Sequence, residues 1–158
     1  MVSIGAFVLM PNHFHILITE KEGNGVSKFM QKLSTAYVMY YNNKYERTGG
    51  LFEGKFKSQH LADDRYLKYI FSYIHLNPIK LLQKDWKEIA IKNKTKTLDF
   101  LKNYYFSSYL DYTGIARKQN GILNYGDYPR YFSSPRIFKK EIFEWLSYND
   151  DANLLGKT

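Results

Sequence analysis

The sequence has 158 residues, enough for one domain with a core of its own, and its 44% hydrophobic and 24% charged residues exclude a disordered tail or a fibrous repeat. Lys and Arg number 23 against 15 Asp and Glu, a formal charge of +8 that points to a polyanionic partner, nucleic acid first. The absence of cysteine excludes disulfides, thiolate zinc sites and a Cys nucleophile. Tyr, Phe and Trp number 15, 11 and 2. Such rings interleaved with cations suit unpaired bases, although many of them also serve a core. No apolar run approaches a membrane span, so the expectation is a cytoplasmic protein with no membrane partner.

In chain order, Val2 to Met10 reads as a strand, Pro11-Asn12 as a turn and His13 to Thr19 as a second strand, together a hairpin. After a polar loop from Glu20 to Gly25, Val26, Met30, Leu33, Tyr37 and Tyr40 recur at helical spacing as far as Lys44, and Gly49-Gly50 ends that segment. Lys55 to Leu61 predicts a third strand with alternate basic residues. Asp63-Asp64 can cap a helix starting at Arg65, with Leu67, Ile70, Phe71 and Ile74 on its core face and Tyr66, Tyr69, Tyr73 and Asn77 beside them. Pro78 should end that helix near Asn77. Farther on, Leu98 to Tyr109 predicts a helix and Gly114 to Asn120 a loop. Ser134-Pro135 is the cap of a last helix that buries Phe138, Ile142, Trp145 and Leu146, and Asn149 to Thr158 reads as a tail.

His13 and His15 flank Phe14 on a strand, so both imidazoles project to one side, where they can grip a metal ion or simply be hydrogen-bonded strand histidines. Tyr73 and Asn77 lie one helical turn apart. An Asn oxygen would complete a mixed nitrogen and oxygen site that leaves positions for water and a phosphate oxygen, as Mg²⁺ or Mn²⁺ requires. The tyrosine beside it is a candidate nucleophile, because attack by a phenol on phosphorus needs a neighbouring cation; a helical tyrosine is otherwise core or surface filler. Lys55, Lys57 and Lys80 lie near these residues as candidate phosphate contacts or plain solvated cations. His75 reads as a packed or capping residue, and His60, at the end of the third strand, has no spacing that ties it to the site.

Three blocks, Met10-Pro11-Asn12-His13-Phe14-His15-Ile16-Leu17-Ile18, Gly50-Leu51-Phe52-Glu53-Gly54-Lys55-Phe56-Lys57-Ser58 and Tyr73-Ile74-His75-Leu76-Asn77-Pro78, occur in one order that resembles the REP-associated tyrosine transposases. These form part of the HUH single-tyrosine (IS200-like) superfamily. The resemblance covers Phe7 to Leu82 and is weaker around Phe106-Ser107-Ser108-Tyr109. It implies an α+β fold, an antiparallel ferredoxin-like palm with helices packed on it, over residues 1–82, with residues 83–148 as a helical extension of the same domain and 149–158 as a flexible tail. It further implies that His13, His15 and Asn77 hold the metal while Tyr73 attacks a phosphodiester of hairpin-flanked single-stranded DNA. The products would be a 5′-phosphotyrosine and a free 3′-hydroxyl, and a later 3′-hydroxyl could reverse the step and join strands without ATP.

Members of that family carry a strand and a long helix ahead of the segment matching Val2. The resemblance therefore leaves a catalytic core without its first strand and helix, with open sheet edges. A gene fragment and a homodimer in which a second protomer supplies the missing surface both fit. Two other readings stay open. One is an inactive remnant that only binds single-stranded nucleic acid. The other is a hydrolytic metal nuclease that uses water and leaves free 5′-phosphates.

Overall fold

The computed structural model describes residues 1–89 and 91–146, so the sequence's expected tail lies outside the described residues. The fold is α+β. Strand β1 (Val2–Leu9) pairs antiparallel with β2 (Phe14–Glu20), and the turn at Pro11 and Asn12 is closed by the Met10 amide on the His13 carbonyl at 2.8 Å. Residues Gly5 to Val8 are buried in a row, because both faces of β1 are covered. The pairing register skips between Ile4 and Ala6, a bulge that leaves Gly5 unpaired. Tyr128 packs against that glycine so closely that a Cβ there would stand 2.7 Å from its ring. The Tyr112 hydroxyl donates to the Gly5 carbonyl at 2.7 Å, so two phenols from the C-terminal half fasten the bulge.

Helix α1 (Gly25–Lys44) forms where its periodicity predicts, yet Gly25 and Met30 are its only buried residues, and Leu33, Tyr37 and Tyr40 face outward. Helix α2 (Asp64–Leu76) is capped by the Asp63 carboxylate, which accepts the Tyr66 amide at 2.8 Å. Its expected apolar stripe does meet the sheet: Phe71 and Ile74 are buried and Leu67 and Ile70 partly so, against Ala6, Val8, Met10 and Leu17. Pro78 does not push Asn77 out of helical geometry as expected. Asn77 keeps φ −54° and ψ −38°, and the chain tightens into a 3₁₀ turn, Asn77–Leu81, in which the missing proline N–H removes no needed bond.

The third strand predicted over Lys55 to Leu61 does not form; residues 56–63 are irregular and Phe56 is exposed. The edge of β1 away from β2 is taken instead by the far end of the chain. The Leu9 amide donates to the Phe106 carbonyl at 2.7 Å, the Ser108 amide donates to the Phe7 carbonyl at 2.9 Å, and Val8 bridges Ser107. The same docking splits the helix predicted from Leu98 to Tyr109. Helix α3 (Lys94–Asn103) stops before Tyr104, whose hydroxyl donates to the Leu9 carbonyl at 2.6 Å, and α4 (Tyr109–Tyr112) starts after the bridge. The predicted loop at Gly114 to Asn120 runs into a 3₁₀ turn, Lys118–Ile122.

Helix α5 (Pro135–Trp145) opens on the Ser134 cap as predicted and buries Phe138 and Ile142, followed by Leu146. These three join Leu76, Ile79, Leu101, Tyr109 and Leu110 in a second core cluster, which ties the end of α2 to the C-terminal helices. His75 is the packed residue its position suggests. It is wholly buried, its Nε2 lies 2.7 Å from Ser108 Oγ, and burial pushes its pKa down to about 3, so the ring is neutral. No helix among the described residues is long and apolar enough to cross a membrane.

Candidate active site

The hairpin positions both histidines. Strand pairing sets Val8 opposite His15 and Leu9 opposite Phe14, so His13, just past the turn, and His15 stand on the same side of β2 with ring centroids 5.1 Å apart. His13 is exposed, and its Nδ1 is 2.7 Å from Asn12 Oδ1, a contact that orients the ring. His15 is half-buried, and its Nε2 is buried without a hydrogen-bond partner among the described residues. Burial first, then the charges of His13, Lys80 and Lys87, holds its pKa at about 4. The ring is therefore neutral at physiological pH and keeps a lone pair for a ligand.

Helix α2 supplies the phenol. Because Phe71 and Ile74 lock one face into the sheet core, Tyr73 on the adjacent face meets His15 edge to face, centroids 5.6 Å apart. Tyr73 also stacks on Tyr69 at 6.0 Å, and Tyr69 in turn packs on Trp145 at 5.3 Å. Burial, with Tyr73 and Tyr66 next, pushes the Tyr69 phenol up to about 12, so it stays protonated beside its neighbour.

Two ammonium groups flank the Tyr73 ring, Lys80 Nζ at 5.9 Å and Lys87 Nζ at 4.1 Å from its centroid. Lys87 is half-buried, and desolvation together with Lys80 lowers its pKa to about 8. Sequence reasoning singled out Lys80 and missed Lys87, because nothing in the spacing of Asp85-Trp86-Lys87-Glu88 relates it to Tyr73. Lys55 and Lys57 stand exposed on the irregular segment where the sequence predicts the third strand, and the cations felt by His15 are Lys80 and Lys87 instead. His60 is likewise exposed on that segment.

Asn77 sits one turn beyond Tyr73, wholly buried, with Oδ1 and Nδ2 both lacking a partner among the described residues. Buried side-chain polar atoms are nearly always paired, so His15 Nε2 and the Asn77 amide can each take a further partner, but Ser3, Asn42, Ser72, His75 and Trp86 also carry such atoms, and no hydrogen bond among the described residues joins Asn77 to the histidine pair. No set of three His, Cys, Asp or Glu among the described residues could hold a metal. Were the Asn77 oxygen to join the two imidazoles, as the sequence leads one to expect, the donor set would suit Mn²⁺ and admit Mg²⁺ with water filling its remaining positions.

Residues 1–77 match the family model for IS200-like transposases. The transposase match takes in the hairpin, both histidines, Tyr73 and Asn77, and it supports a DNA-processing enzyme at family level. No curated protein and no solved structure matches the chain.

Proposed function

We propose that the protein is a transposase-type strand transferase that cuts and rejoins single-stranded DNA flanked by a hairpin, with Tyr73 as the nucleophile. The observation that carries this is the meeting of Tyr73 with the His13 and His15 pair under two lysine ammonium groups. The transposase match, which takes in Tyr73 and both histidines but not the two lysines, supports it.

In this reading the Tyr73 oxygen attacks phosphorus. The Oη–P bond forms, the bond from phosphorus to the 3′-oxygen breaks, and the phenolic proton is lost as the departing oxygen leaves as a 3′-hydroxyl. The 5′-phosphate stays on Tyr73, and its ester bond keeps the energy that lets another 3′-hydroxyl run the step backwards. Lys80 and Lys87 hold the phosphate against the ring and offset the charge that builds on its oxygens. His13, His15 and Asn77 would hold a divalent cation, Mg²⁺ or Mn²⁺, which when bound polarises the phosphoryl group. Neutral His15 is suited to that task as it stands.

The test is a labelled DNA hairpin with single-stranded flanks, incubated with the protein and Mn²⁺ and run on a denaturing gel. A covalent adduct is expected from the wild type and from Tyr69→Phe, and none from Tyr73→Phe. Equal adducts from both variants would move the nucleophile elsewhere. Free 5′-phosphate ends without an adduct would mean that water attacks.

A further inference from the structure

The site just described does not use the longest helix. A helix facing solvent is ordinarily polar on that side, yet α1 turns outward Tyr37 (49% exposed), Tyr40 (61%) and, just past its end, Tyr45 (54%). These rings are arranged. Tyr37, Tyr41 and Tyr45 recur every four residues, with successive centroids 6.2 and 4.5 Å apart. From Tyr37 the row passes to Phe52 at 6.1 Å and from Phe52 to Phe14 at 6.4 Å, the residue between the two site histidines. Within the helical row and between Tyr37 and Phe52 the rings are tilted by 43 to 45°, and Phe52 meets Phe14 edge to face at 85°, so none of them seals another face to face.

Charge says what the row would meet. From Val26 to Tyr45 there is no Asp or Glu, while Lys28, Lys32 and Lys44 are present. Lys44 Nζ lies 5.3 Å from the Tyr45 centroid and the Arg47 guanidinium carbon 5.6 Å from that of Tyr41. Neither cation has an ion-pair partner among the described residues. A second copy docked here about a two-fold axis would set these cations against themselves, and a duplex would offer phosphates but no open base faces. Phosphates spaced along unpaired bases answer both the cations and the rings.

We propose that the outward face of α1 is a stacking track for single-stranded DNA, running through Phe52 and Phe14 to the histidine pair. This rests on DNA being the partner of the candidate site and adds where the flanking strand lies.

Binding of a fluorescein-labelled oligothymidine of about 15 nucleotides to the full chain, read by anisotropy, tests it. Tyr37→Ala and Tyr45→Ala are each expected to weaken binding about tenfold, since a lost base stack has that order of effect, whereas Tyr37→Phe and Tyr45→Phe bind as the wild type does. Lys44→Gln with Arg47→Gln should lower the slope of log affinity on log salt by about 1.4, at roughly 0.7 per lost single-strand phosphate contact. Alanine variants that bind as tightly as the wild type, or phenylalanine variants that lose as much as alanine, overturn the track. Unchanged binding joined to a shift from dimer to monomer in the alanine variants would assign the face to a second copy. The chemistry is separable. A normal Tyr73 adduct with indifferent α1 variants sinks the track alone, and weakened oligothymidine binding in those variants with no adduct from wild type sinks the strand-transfer reading alone.

Discussion

His15 and Tyr73 meet edge to face at 5.6 Å between ring centroids, one carried by the hairpin and the other by the helix laid across it. If that contact marks a cation-assisted site, adduct formation on the DNA hairpin should vanish on chelation with EDTA and return with added Mn²⁺. His15→Ala should act like chelation at low Mn²⁺. Adducts that persist under EDTA would remove the cation from the reaction.

Lys87 lies 4.1 Å from the centre of the Tyr73 ring and has no ion pair among the described residues. Lys87→Met is expected to slow adduct formation about tenfold, the size of one charge-assisted phosphate contact, with little change in thermal midpoint. Lys87→Arg should recover part of the rate because the charge returns. A loss that Arg does not relieve, or one that follows a fall in melting temperature, would make the role one of packing.

The Asp111 carboxylate, its side chain fully shielded, is held by Arg117, whose Nε donates to Oδ1 at 3.0 Å and whose Nη1 donates to the Tyr105 carbonyl at 2.7 Å. This pair pins the 105–107 segment that closes the edge of β1. Arg117→Met leaves a buried carboxylate without its cation and should destabilise the fold by about 3–5 kcal/mol, measured by urea unfolding. A change under about 1 kcal/mol would show that the carboxylate reaches water.

Gly5 has no room for a side chain, with the Tyr128 ring 2.7 Å from the position of a Cβ. Gly5→Ala should cost about 1–3 kcal/mol through displacement of that ring. The double variant with Tyr128→Leu should cost less than the sum of the two single changes, since the second relieves the clash made by the first.

Burial pushes the Tyr109 phenol up to about 12 and Tyr112 higher still. An unfolded phenol loses its proton near pH 10, so between about pH 10 and 12 the folded state binds more protons than the unfolded one, and stability falls as pH rises. Below about pH 10 that contribution is fully present. Each such tyrosine adds a slope of up to about 1.4 kcal/mol per pH unit, and Tyr109→Phe should flatten the drop in urea midpoint between about pH 10 and 12. An unchanged drop would place the alkaline sensitivity elsewhere.

What the sequence by itself determined is what lies in local periodicity and chemistry. The turn at Pro11-Asn12 and the alternation around it make the hairpin that sets His13 and His15 on one side. The Leu67, Ile70, Phe71 and Ile74 stripe turns Tyr73 toward them, and Asp63 and Ser134 cap their helices through contacts three residues away. Tertiary structure alone decided which segment takes the free edge of β1. Residues around Ser107 hold it, Lys55 to Leu61 is left irregular, and the helix predicted through Tyr109 is broken. It alone brought Lys87 over Tyr73 and left the ring row of α1 facing water. The division has one physical reason. Backbone preference and the face a residue takes are set within a few neighbours, whereas an edge partner or a nearby charge depends on which distant segments the closed chain brings together.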